Sequence, residues 1–136
     1  MPLYLLLFPV PIVCFLAAVA TDAAYAATAQ LMWLHFSEWL NAAGLAVGAI
    51  AALVLLVVVL ARRTLRTRPG WTHLVVFYAM LLVELVNAFV HTIDGYTAVA
   101  WTGMTLSVVG AILALVATAT LRALPPAWVG RREALA

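Results

Sequence analysis

Cysteine occurs once in this chain, at Cys14, and lysine does not occur at all. A lone cysteine excludes an intrachain disulfide, a cysteine-based metal site and an iron–sulfur cluster built within one chain. Charge is scarce too: 9% of the 136 residues are charged, against roughly 25% in a soluble domain. No glycine-rich phosphate loop, nucleophile elbow or internal repeat is present. The net charge of +2 comes from arginines grouped in two short segments, so nothing supports a nucleic-acid partner. Too little polar surface remains for hydrolysis of a soluble substrate.

What the chain does have is apolar length. Hydrophobic residues make up 68% of it, and the mean hydropathy is +1.15. Four apolar stretches each approach the ~20 residues that a spanning helix needs. They predict an all-α membrane protein, four transmembrane helices in an antiparallel bundle, at about 3–20, 33–61, 71–92 and 98–122. Residues 1–136 then form a single integral-membrane domain.

Orientation comes from charge. Arg62, Arg63, Arg66 and Arg68 lie in the turn between the second and third stretches, and Arg122, Arg131 and Arg132 come after the fourth. An even number of crossings separates the two groups, so both share one side. The positive-inside rule makes that side cytoplasmic, which gives N-in and C-in in a bacterial inner membrane. Asp22, Glu38 and Asp94 fall on the opposite side, where Trp33, Trp39, Tyr96 and Trp101 form an aromatic belt, while Trp71 and Trp128 mark the inner interface. Pro69 should end any helix before it. The first stretch has a rival reading as a signal peptide cleaved around Ala24, Tyr25 and Ala26. It lacks the basic n-region of such a peptide, so retention as a helix is the expectation.

The third stretch carries polar residues through what should be lipid. Counted back from His91 at 100° per residue, Asn87, Glu84, Met80, Phe77 and His73 fall within about 40° of one line. An ionisable group near the bilayer centre costs at least about 2.5–3.5 kcal/mol, so such residues are read as functional by default. With Asp94 just beyond it, this stripe is where any chemistry must sit.

His91 and His35 lie toward the same outer side on antiparallel neighbours, an arrangement that can hold a b-type haem by both axial positions. Glu38 or Asp94 could orient a ligating imidazole. Depth argues against the pair: helical rise leaves about 9 Å between their levels unless a helix tilts or breaks. A haem or metal held by only one of them, or histidines that only hydrogen-bond or handle protons, are the other readings. His73 is about 27 Å along the helix from His91, so the two cannot serve one site. It reads as an interfacial residue near Trp71. Glu84 is either a neutral carboxyl donating to Ser107 or Thr105 across the bundle, or a proton-relay or quinone-contacting group.

Small residues mark helix contacts. Gly44 and Gly48 form a small-x3-small pair, and Gly103, Ser107, Gly110 or Ala111, Ala114 and Thr118 make a seam on the fourth helix. Close backbone approach replaces hydrophobic driving force in lipid, so these seams serve packing within the chain or a homo-oligomer face.

Residues 86–107 carry a family resemblance. Asn87, Phe89, Val90, His91, Asp94, Tyr96, Thr97 and Val99, and then Thr102, Gly103, Leu106 and Ser107, match a pattern. It resembles that of bacterial four-helix predicted membrane proteins of unknown function, which often occur fused to, or encoded beside, Rieske iron–sulfur domains. Ile93 departs from it, standing where the pattern has a basic residue. The resemblance implies four membrane helices and a redox neighbourhood.

Three classes of function remain open. The first is a membrane anchor or electron-transfer subunit of a respiratory-type redox system, with a b-type haem or a quinone near His91, at most an electron-transfer protein rather than an enzyme in its own right. The second is a non-catalytic accessory subunit of a larger membrane complex. The third is a small proton-conducting or transport protein using the stripe. Expected partners are the lipid bilayer and other membrane or periplasmic redox subunits.

Overall fold

The computed structural model describes residues 2–92 and 99–125. Asp94 and Tyr96, and Trp128, Arg131 and Arg132 of the tail, lie outside the described residues. Five α-helices succeed one another: α1 (Pro2–Leu7), α2 (Pro9–Thr28), α3 (Leu31–Ala61), α4 (Arg68–His91) and α5 (Met104–Arg122), the last preceded by a π-helical turn, Val99–Gly103. The α1–α2 pair is a single span, Pro2–Thr28, so among the described residues four helices are long and apolar enough to cross a membrane. Pro9 interrupts the helical ladder after Phe8, because it has no N–H to give. Phe8 itself still bonds back to the carbonyl of Tyr4 at 2.8 Å, so the axis continues.

The first span is longer than its apolar run. Hydropathy predicts an end near residue 20, with Asp22 in an outer loop, yet α2 continues to Thr28. Thr21 and Thr28 return their hydroxyls to carbonyls of the preceding turn, and Asp22 is buried inside the bundle. A polar pair at the edge of a hydrophobic run therefore marks the interior here, not the interface. The turn to α3 is tight: Ala29 takes a left-handed conformation, φ 53°, and its N–H caps Tyr25.

The Arg-rich turn is also organised. Arg66 reaches back to the carbonyls of Val59 and Leu60 at the end of α3. Thr67 caps α4 by accepting from the N–H of Gly70. Pro69 sits in the first turn of α4, where its missing N–H costs nothing.

Every helix buries one stripe. On α3 it runs Leu34, Ser37, Asn41, Gly44, Gly48, Ala51, Leu55 and Val59. On α4 it runs His73, Phe77, Met80, Glu84, Asn87 and His91, and on α5 Ser107, Gly110, Ala114 and Ala117. Alternating steps of three and four are the seam of a left-handed bundle. The first span packs against α3 and α5, and so does α4, which closes a ring of antiparallel neighbours. The first and third spans thus face each other along a diagonal and run parallel. Gly44 lies against the Phe15 ring of α2 and Gly48 against Leu81 of α4, so both glycines serve packing within the chain. Large apolar side chains point outward, Trp39 and Trp101 among the most exposed, as a lipid-facing surface requires.

Candidate functional site

Two polar clusters occupy the bundle interior, with an apolar layer between them. At one end, His73 is fully buried and hydrogen-bonded on both ring nitrogens. Its Nε2 lies 2.6 Å from the Tyr4 hydroxyl and its Nδ1 2.9 Å from Thr120 Oγ1. Thr120 gives its own proton to the carbonyl of Ala117, so it accepts from Nδ1–H, and Tyr4 must donate to Nε2. The result is a neutral imidazole with its tautomer fixed. Tyr4, Phe8 and Phe77 surround it with ring centroids 5.7–6.3 Å away. His73 stands two residues after Trp71, near the start of α4, on the helix face that looks inward, and a phenol from the first span meets it.

At the other end lies the larger cluster. His91 is buried, with Nδ1 2.9 Å from the carbonyl of Asn87 and Nε2 3.0 Å from Asp22 Oδ1. A carbonyl only accepts, so Nδ1 carries a hydrogen, and a single proton is shared between Nε2 and the carboxyl. Ser37 donates to Asp22 Oδ1, and Ser107 donates to Oδ2 at 2.5 Å. The Asn87 amide gives one hydrogen to Ser107, at 2.8 Å, and one to Glu84 Oε2, at 3.1 Å. Asn41 donates to the same Glu84 oxygen at 3.2 Å. One network therefore joins all four spans at this end.

Helical spacing puts His73, Glu84, Asn87 and His91 on one face, and all four are buried. It gives no sign of Tyr4, Asp22, Ser37 or Asn41, which complete the clusters from the first two spans. Ser107 meets Asn87 and Asp22 rather than Glu84, while Thr105 is exposed and bonds to Trp101. The residue opposite Glu84 is Gly110, where a Cβ would collide with the carboxyl. Phe77 and Met80, both fully buried, lie between Glu84 and His73, so the stripe is not one continuous polar path.

The fit to a haem can be tested on the donors. Both nitrogens of His91 are engaged, so ligating iron would break the bond to Asp22 or to Asn87. His35 sits on the exposed face of α3, its Nδ1 3.2 Å from Glu38. Among the described residues no three His, Cys, Asp or Glu side chains are grouped to hold a metal ion. The arrangement does not fit a haem held by His35 and His91.

A groove runs along the α3–α4 seam. One end, about 330 Å³, is lined by Glu38, Trp39 and Ala42 of α3 and by Ala88, His91 and Thr92. One turn further along both helices begins a trough of about 670 Å³, lined by side chains such as Leu45, Ala49, Leu53, Leu81 and Leu85. Tyr78, whose hydroxyl donates to the carbonyl of Ala52 at 2.9 Å, stands at its far end. Both parts of the groove are mainly apolar; Glu38, His91 and Thr92 gather at one end and Tyr78 stands at the other.

No curated protein and no solved structure matches the chain. The family described as predicted membrane protein (DUF2231) matches residues 1–121, across all four spans and both clusters. The chain belongs to that family of membrane proteins.

Proposed function

We propose that the protein is a membrane subunit of a respiratory-type redox system that holds an isoprenoid quinone in the α3–α4 groove. The carrying observation is the order of the groove's two parts, a hollow whose lining includes the Glu38, His91 and Thr92 side chains and, one turn further along, a trough lined almost wholly by Leu and Ala. An amphiphile with a compact head and a single apolar tail matches that order. Charge narrows the head. The hollow offers the Glu38 carboxyl, the Thr92 hydroxyl and the Trp39 ring, and no arginine lines it. An anionic phosphate head would be repelled, whereas an uncharged head with hydroxyl or carbonyl oxygens would not. Glu38 accepts from a quinol hydroxyl, and His91, with the proton it shares with Asp22, forms the wall. In this reading the 62–68 turn is cytoplasmic and the head binds on the opposite side.

The test is a titration of the purified full-length chain with a short-tailed quinone, read by tryptophan fluorescence. Quenching should saturate, and Trp39→Phe should remove most of the saturable part. Titrated with the reduced quinol, whose hydroxyl Glu38 accepts, Glu38→Ala should weaken binding about tenfold, the equivalent of one hydrogen bond of ~1.4 kcal/mol. Quenching that rises linearly without saturation would overturn the reading.

A further inference from the structure

Glu84 is fully buried midway along α4, and its hydrogen-bond partners are two amides. The arginines of the described residues all lie at span ends, so none reaches it. The titratable groups acting on Glu84 are Asp22 of α2 and His91 of its own helix, and these two already share a proton with each other. From α3 and α5 the cluster receives Ser37, Asn41, Ser107 and Gly110, none of which titrates. An ionised Glu84 would leave one negative charge uncompensated inside the bilayer.

Hydrogen-bond accounting points the same way. Among the described residues, three buried side-chain oxygens have no partner: Asn41 Oδ1, Glu84 Oε1 and Asn87 Oδ1. All three belong to this cluster, which is short of hydrogens and not of acceptors. Asn87 cannot turn its amide over, because Nδ2 also donates to Ser107, whose only hydrogen goes to Asp22. Asn41 can. Turning its amide exchanges Oδ1 with Nδ2 and sets an acceptor where the donor now stands, 3.2 Å from Glu84 Oε2.

We propose that Glu84 is a proton-binding site: the carboxyl holds a proton as a neutral acid and donates it to Asn41 Oδ1, while Oε2 still accepts from Asn87. The ligand is a proton from the aqueous phase: binding forms one O–H bond on the carboxylate, exchanges the Asn41 N–H···Oε2 hydrogen bond for O–H···Oδ1, and changes no other covalent bond. Gly110 leaves the other oxygen room to lie against the α5 backbone. The site stands whatever fills the α3–α4 groove.

Infrared spectroscopy of the full-length protein at neutral pH reads it directly. The wild type should show the C=O stretch of a protonated carboxylic acid, moving on transfer to D2O. Labelling the glutamate side-chain carboxyl with 13C should shift that band in the wild type, without relying on any variant. Glu84→Gln should remove it, and Asp22→Asn should leave it. A wild type with no such band, a band blind to the glutamate label, or a band that survives Glu84→Gln would overturn the proposal.

Discussion

Asp22 and His91 meet at 3.0 Å across the bundle diagonal, 69 residues apart, and Tyr4 meets His73 with the same separation. The two contacts are 18 residues apart on each helix, which is five full turns, so the same faces of the first and third spans oppose each other at both ends. Neither pair lies between sequence neighbours, and both tie the diagonal that ring packing leaves unjoined.

Removing one partner of Asp22–His91 leaves the other buried and unsatisfied. Asp22→Ala should destabilise the fold by about 3–5 kcal/mol, measured by reversible unfolding in mixed micelles. Replacing both residues with leucine should cost less than Asp22→Ala alone. A double variant as unstable as the sum of the singles would show that the pair is not coupled.

Gly110→Ala should cost about 1–3 kcal/mol through overpacking, since the new methyl meets the Glu84 carboxyl. Shortening the opposing side chain, Glu84→Ala, should relieve much of that cost in the double variant. An unfolding free energy unchanged by Gly110→Ala would mean that α5 sits further from α4 than the structure places it.

Tyr4→Phe removes the donor to His73 Nε2 and should cost about 1–3 kcal/mol, since it leaves a buried acceptor unpartnered. It should not change quinone titration, because the His73 cluster is about 27 Å from the His91 end of the groove. Loss of binding in Tyr4→Phe with stability intact would contradict the separation of the two clusters.

Protein purified from haem-replete cells should show no b-type absorption band after reduction, because both imidazole nitrogens of His91 are held by Asp22 and Asn87. A sharp band lost in His91→Ala would show that one of those bonds gives way to iron.

The polar face of α4 was legible because His73, Glu84, Asn87 and His91 stand out against Leu, Val and Phe at helical spacing. Their partners were not, and the reason is local. Asp22 comes after the first apolar run beside Thr21, so hydropathy alone ends the helix there. Ser37 and Asn41 sit among His35, Glu38 and Trp39, where polar residues read as an interface. The signal that finds them is periodic: Leu34, Ser37, Asn41, Gly44 and Gly48 keep the three-and-four step of the buried stripe. His35 and Glu38 fall off that step and lie toward the outside. The groove could not be read at all, since it depends on how two helix faces diverge.

The doubled diagonal contact also limits how the molecule can move. A transporter that alternates between two sides must slide or rock one pair of helices against another, and a slip of one turn is about 5.4 Å. Such a slip of the third span along the first would pull Asp22 from His91 and Tyr4 from His73 at once; a slip that brought Asn87 to Asp22 would set Pro69 opposite Tyr4, so the two contacts cannot both be replaced. The parallel pair therefore behaves as a rigid strut, pinned top and bottom like the rails of a ladder. The hollow seam is the one between α3 and α4, so the way into the groove is sideways, from the bilayer, rather than end to end.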